Sequence, residues 1–269
     1  MSHSKPIIVT MSTIPSRLKY LSRTVDSLIN QSVRPTEIRL YVPKKYRRFP
    51  DNVIEPELVD SRVTLCMVEK DLGPLTKIAY AAEEFRDQDV ELLACDDDMD
   101  YDSNWIELFV KERSRQPNVC LVQSGGFVFN FSQIDGRFSK FPRAKFKGFM
   151  YRLFRVFSGL TWKPRTPYMK SGYIDIGEGW AGFFLSPSFF DSSFKDIPDE
   201  IFLVDDIWVS AFLTSKGVDI WLIKNALRPR TSEVAQIDAL NMLVSADEER
   251  AALNDKAVRL LRDRFDIWS

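Results

Sequence analysis

Three consecutive carboxylates, Asp96, Asp97 and Asp98, with Asp100 close behind, follow directly on the apolar run VELLA at 90–94. Adjacent like charges repel and raise one another's pKa, and a strand end gives them little relief. A hard divalent cation with oxygen ligands is the usual remedy. Mg²⁺ or Mn²⁺ typically takes one or two protein carboxylates and completes its shell with phosphate oxygens and water. A helix starting near Asn104 could use one acid as a favourable charge at its N-terminus, but that needs one carboxylate and four are present. The spacing of Asp96, Asp98, Asp100, Asp102, Asn104 and Glu107 also matches a calcium loop. Against it, the sixth position is Tyr101 where the turn needs glycine, and the preceding segment reads as strand.

Three further segments carry polar groups at places where a chain reverses. In IVTMSTIPSRL at 8–18, Thr10, Ser12 and Thr13 stand at the carboxyl end of a strand, where hydroxyls can bond a ribose or base, and Arg17 can approach a phosphate. A Ser/Thr helix cap explains these residues equally well. In EKDLGPLTK at 69–77, Gly73-Pro74 breaks the chain and Lys77 falls in the first turn of a helix, an arrangement that suits an anion. In GEGWAG at 177–182, glycines flank Trp180 and let backbone approach a ligand, with the indole face as a sugar platform. Asp205 and Asp206 then open a helix; either could cap it, and either could be the general base. His3 is the only histidine, which excludes imidazole catalysis and most zinc sites, so carboxylates must do the chemistry. No glycine-rich dinucleotide or P-loop fingerprint is present.

The elements that must position these groups alternate. Strand-like runs at 6–11, 37–42, 63–68, 90–95 and 119–123 are separated by helical periods at 18–30, 76–85 and 104–115. That alternation predicts an α/β fold with a mostly parallel central sheet flanked by helices, whose ligands gather beyond the carboxyl ends of the strands. Residues 127–173 show no clear period and are expected as long loops or short hairpins. β character returns over 173–186 and 218–223, a helix over 205–215 and another over 246–264. With 269 residues and 45% apolar content, one compact domain suffices: a nucleotide-binding half at 1–125, an acceptor-binding half at 126–225 and a helical region at 226–269.

The net charge of −1 argues against a nucleic-acid partner. Cys66, Cys95 and Cys120 each lie in an apolar run, as buried free thiols do in a reducing cytoplasm. No run of 18 apolar residues exists, so no membrane-spanning helix is expected. The polar residues 1–5 lead straight into a strand, so no signal peptide is expected.

In this order, the opening IVTMSTIPSRL, TVDSLINQSVRPTEIRLYVP, the LGPLTK turn, CDDDMDY with the following Trp105, and GWAGFFLSPSFF ahead of DDIWVSAFL resemble the GT-A glycosyltransferases, especially bacterial family-2-like enzymes. The resemblance runs from residue 7 to about residue 217. It implies a metal-dependent enzyme that moves a sugar from a nucleotide diphosphate, expected to be UDP, to a glycan or glycolipid in bacterial surface polysaccharide synthesis. Thr10, Ser12 and Arg17 would contact the nucleotide, with Asp71 near its base and Lys77 close by. Asp96, Asp97 and Asp98 match the DxD motif, with Asp98 as main ligand to Mn²⁺ or Mg²⁺ and Asp96 reaching the metal, sugar or ribose. Trp180 and Gly182, with Gly179, would border donor sugar and acceptor, and Asp205-Asp206 match the acidic pair that supplies the base. Many relatives place a histidine metal ligand late in the chain; none is available here, which leaves the stereochemical outcome open. A sugar-phosphate nucleotidyltransferase of similar fold and a calcium-dependent carbohydrate-binding module are the alternatives.

From 137 to 170 the chain carries ten Lys or Arg and no acid, interleaved with Phe138, Phe141, Phe146, Phe149, Tyr151, Phe154, Phe157 and Trp162. Such a mixture fits either peripheral contact with anionic lipid on the inner face of the cell membrane or a satellite core beneath solvated charges.

Overall fold

The computed structural model describes residues 5–52, 54–132, 140–160, 165–231, 237–238 and 247–269. Its centre is an eight-stranded sheet built from β1 (Ile7–Met11), β2 (Glu37–Pro43), β3 (Thr64–Val68), β4 (Glu91–Ala94), β5 (Cys120–Val122), β6 (Gly172–Ile174), β7 (Phe183–Leu185) and β8 (Ile220–Leu222). Their spatial order is β6-β8-β5-β7-β4-β1-β2-β3. Six strands run in one direction; β6 and β7 run against them. This is the mostly parallel α/β architecture expected, and strands from both sides of residue 125 interleave in one sheet.

Both faces of the middle of the sheet are covered, so its central strands are buried throughout rather than alternating, while the edge strand β3 stays partly exposed. Every residue of β1 (IIVTM) is buried. Ile7, Val9 and Met11 point into one layer with α1 (Leu21–Ile29) and α3 (Trp105–Arg113), where Leu21, Val25, Leu28, Ile106 and Phe109 close the core. Ile8, Leu92, Cys120, Val122 and Phe183 point into the other layer. There α2 (Thr76–Glu84), α5 (Asp205–Ser215) and α6 (Asp247–Phe265) supply Ile78, Trp208, Phe212 and Leu261. Cys95 and Cys120 are buried thiols and Cys66 is half-buried.

Two features aim the carboxyl edge of the sheet. The antiparallel β7 lies beside β4 with Phe183 paired to Ala94, so the residues before Phe183 arrive next to those that follow Ala94. That places Trp180 beside Asp96. At Gly182 φ is +107°, and a Cβ there would meet Trp105 Cζ2 at 2.7 Å. Glycine is required for that packing and backbone shape. Trp105 in turn donates its indole N–H to the Ala181 carbonyl at 2.9 Å.

Residues 127–173 depart from the expectation of loops and hairpins. They include the short helix Val128–Phe131 and a nine-residue helix α4, Phe149–Phe157. The sequence of α4, FMYRLFRVF, is so nearly all apolar that only Arg152 and Arg155 mark its polar side, which masks the period. The predicted helix over 18–30 is divided, with a 3-10 turn at Pro15–Tyr20 ahead of α1. Proline at the first position of that turn supplies a suitable φ and needs no donor. Phe138 and Trp162 lie outside the described residues.

Candidate active site

A cavity of about 550 Å³ opens beyond the carboxyl ends of β1, β2 and β4. Ser12, Thr13 and Arg17 line one side, Asp71 and Lys77 a second, and Asp96, Asp97 and Asp98 the floor, with Trp180, Asp205 and Asp206 opposite. Segments far apart in the chain thus converge as expected. Two predicted residues do not take part. Thr10 is fully buried inside β1 and does not reach the cavity, because the strand continues to Met11 before the chain turns. Gly182 also stays off the lining; its place is against Trp105 and Phe109.

The acids are held by cations from within the chain. Arg17 Nη1 donates to Asp98 Oδ2 at 2.8 Å and Asp97 Oδ1 at 3.2 Å, and its Nε donates to the Ile237 carbonyl at 2.9 Å. Thr13 donates its hydroxyl to Asp97 Oδ2. Lys77, almost wholly buried, donates to Asp96 Oδ1, and its Nζ lies 3.8 Å from Asp205 Oδ2. Burial alone would lower the lysine's pKa, but Asp96 and then Asp205 outweigh it and hold the ammonium charged. Thr24 donates its hydroxyl to the carbonyls of Asp97 and Met99 at 2.7 and 2.9 Å, fixing the bend of the acidic segment.

These pairings do not use every oxygen. Asp98 Oδ1 and Asp205 Oδ2 are buried with no hydrogen-bond partner among the described residues. Burial first, then the charges of Asp96 and Asp97, push the Asp98 carboxyl up to about 7. Burial also raises Asp205 and Asp97, and raises Asp206 well above the usual carboxylate range, the neighbouring charge of Asp205 adding to it. Asp206 Oδ1 accepts the backbone N–H of Gly179 at 2.8 Å, so α5 and the Trp180 turn are joined at this carboxylate. Asp71 has a different task from the others. Its two oxygens accept the N–H groups of Arg47 and Gly73 at 2.8 and 2.7 Å and shape the turn into α2.

Several lining residues carry no sequence expectation. Tyr46 donates its hydroxyl to the Thr13 carbonyl at 2.9 Å. Behind the lining, buried Tyr101 accepts the Asp96 N–H at 3.1 Å and donates to the Trp180 carbonyl at 3.1 Å. Arg48, Arg228 and Arg250 bring guanidinium groups to the same cavity. Arg48 donates to the Asp238 carbonyl at 3.0 Å, and burial lowers its pKa. Arg228 lies 5.8 Å from the centroid of the Trp180 ring. Neither Arg228 nor Arg250 has a carboxylate partner among the described residues. The run ALRPR at 226–230, cationic directly after the last sheet strand, was the available signal for Arg228.

The calcium-loop spacing is not realised. Asp102 pairs with Arg165 and Glu107 with Lys111, turning those carboxylates away from Asp96 and Asp98. Among the described residues, no three acids, thiols or imidazoles converge as a ready-made metal nest. A divalent ion could still fit at Asp98, whose buried Oδ1 lacks a partner, provided most of its shell came from ligand oxygens and water.

No family model matches the chain, and no curated protein matches it in sequence. Among solved structures it is similar to residues 1–349 of S. aureus TarS, with 12% identity over 97% of this chain and 72% of that one and a TM-score of 0.40.

Proposed function

We propose that this chain is a glycosyltransferase that takes its sugar from a nucleotide diphosphate and passes it to a hydroxyl of a glycan or lipid-linked glycan. The observation that supports this reading is the charge arrangement of one cavity. Among the described residues, its floor holds a carboxylate oxygen without a hydrogen-bond partner, Asp98 Oδ1, while its rim holds guanidinium groups without carboxylate partners, Arg228 and Arg250. A cation bound to a diphosphate answers both at once, the cation meeting the acids and the phosphates meeting the arginines. Asp98, with Asp96, would hold Mn²⁺ or Mg²⁺, which when bound stabilises negative charge on the departing diphosphate.

The chain's own residues carry the remaining roles. Arg17 and Lys77 keep the acidic floor from flying apart by its own repulsion. Arg228 and Arg48 orient the phosphates and favour the charge that develops as the sugar–phosphate bond breaks. Trp180 offers an indole face to the sugar, under the guanidinium of Arg228. Asp206 accepts the proton of the attacking hydroxyl. Burial and the neighbouring charge of Asp205 raise its pKa, which makes it a stronger base than an ordinary carboxylate once it is ionised. Asp205 faces Lys77 and positions it instead.

The test is a panel of nucleotide sugars incubated with the full chain, scored for nucleotide diphosphate release with and without Mn²⁺. Release that requires Mn²⁺ and disappears in Asp98→Asn, with the variant's unfolding transition intact, is the expected result. Release unaffected by Asp98→Asn would remove the metal role given to that residue.

A further inference from the structure

In a water-soluble helix the apolar stripe faces the core and the charged side faces solvent. Helix α4 instead leaves its apolar stripe in solvent. At 100° per residue, Val156, Phe149, Leu153, Phe157, Met150 and Phe154 fall on one arc about 160° wide, with Tyr151, Arg155 and Arg152 on the other. None of its residues is buried. Phe149, Met150, Phe154 and Phe157 are 65, 73, 68 and 82% exposed, and only Leu153 and Arg155 are half-buried. The bias is regional. Of the thirteen large hydrophobics exposed among the described residues, nine lie between Phe141 and Met169.

Charge says what such a face would meet. The ten basic residues of 137–170 have no acid among them, although the chain as a whole carries a net charge of −1. Lys145, Lys147, Arg152 and Lys170 flank or belong to α4, and Lys147 Nζ lies 4.9 Å from the Tyr151 ring centroid. We infer that α4 lies in the plane of an anionic lipid bilayer, its phenylalanines among the acyl chains and its basic residues at the headgroups. Nine residues of helix span about 14 Å, half the hydrocarbon thickness, and no described helix is long and apolar enough to cross a membrane. The helix therefore rests on the surface.

The docking surface adjoins the cavity. Arg165 pairs with Asp102, just beyond the acidic floor, and the Arg165 carbonyl accepts the N–H of Arg228 at 2.8 Å. A bilayer held by α4 thus brings lipid headgroups towards the cavity rim, where a lipid-borne acceptor would be presented. That last consequence rests on the proposed function; the docking itself does not.

The experiment is sedimentation of the full chain with vesicles of equimolar phosphatidylglycerol and phosphatidylcholine, against vesicles of phosphatidylcholine alone. The chain should pellet with the anionic vesicles at low salt, and its affinity should fall at least about tenfold on neutral vesicles or at high salt. Phe154→Glu with Phe157→Glu should abolish binding to both, while Lys145→Glu with Arg152→Glu should remove only the preference for anionic lipid. Unchanged thermal unfolding in each variant keeps the reading interpretable, since all four side chains are exposed. Failure of the wild-type chain to pellet at low salt would overturn the inference, as would equal pelleting of the Phe154/Phe157 variant. A dimer in light scattering that dissociates in that variant, with no vesicle binding, would also overturn it and assign the face to a second copy. Nucleotide-sugar turnover plays no part in these outcomes, so docking and catalysis can fail separately.

Discussion

Strand β4 carries buried charge at both ends, and the two ends are finished differently. At the amino end, Glu91 meets Arg113 through Nε at 3.0 Å and Nη2 at 3.0 Å. Arg113 also donates to the carbonyls of Val119 and Phe184 at 2.7 and 3.2 Å. Burial raises the Glu91 carboxyl and Arg113 opposes the rise. The cavity of the carboxyl end does not extend to this pair. At the carboxyl end, three acids share Arg17 and Lys77, and oxygens of Asp98 and Asp205 are left without hydrogen-bond partners among the described residues beside a cavity. One strand therefore separates a closed ion pair that fastens α3 to the sheet from an open cluster that still has bonds to offer. Burial and charge are common to both; only the unfilled oxygens and the adjoining space distinguish a site from a fastening.

Substitutions at the two ends should break along that line. The largest effect is expected from Asp206→Asn, which removes the proposed proton acceptor. Turnover should fall by about 10²–10⁴ while nucleotide binding and the unfolding transition persist, measured by steady-state kinetics and calorimetry on the same sample. Glu91→Ala should show the opposite profile. An uncompensated buried Arg113 costs about 3–5 kcal/mol in urea unfolding, with turnover per folded molecule unchanged. Arg228→Ala should weaken binding of a nucleotide diphosphate by about tenfold, roughly one charge-assisted hydrogen bond, and leave stability alone; unaltered affinity would move the phosphates elsewhere. The smallest effect concerns pH. Above about pH 4, where the unfolded chain's carboxylates ionise, the native Asp206 gives up its proton later, and its part as base belongs to the pH range above that raised value. Stability conferred by that group is present in acid and is lost as pH rises towards the raised native value. The slope of unfolding free energy against pH should therefore be shallower in Asp206→Asn than in the wild-type chain.

Much of the carboxyl end was legible because its residues follow directly on strands. Asp96 and Asp98 stand two and four residues past an apolar run, and Lys77 sits in the first turn after Gly73-Pro74, so local pattern alone put them at one sheet edge. Thr10 was misplaced by a single step of register. Strand β1 continues to Met11, so the first hydroxyl that escapes the core is Ser12. Gly182 was legible as a glycine with a purpose, but the purpose was Trp105, a partner 77 positions away that no local pattern reveals. Arg48 and Arg228 went unread for the same reason, since each reaches the cavity from a segment without a period of its own, and Arg250 because nothing local tells which way the first turn of α6 faces. Helix α4 escaped because amphipathicity is recognised by contrast, and a nine-residue helix with only Arg152 and Arg155 as charges offers little.

The phenol of Tyr101 joins the Asp96 backbone to the Trp180 carbonyl, and its ring lies 4.1 Å from that of Trp105. The acidic floor and the indole wall are thereby riveted into a single jaw of fixed gape. A bulkier ligand would be accommodated on the other side, where Arg17 and Arg48 reach the carbonyls of Ile237 and Asp238. Size selection would thus be a property of one hydroxyl, and Tyr101→Phe the change that loosens the gauge without emptying the core.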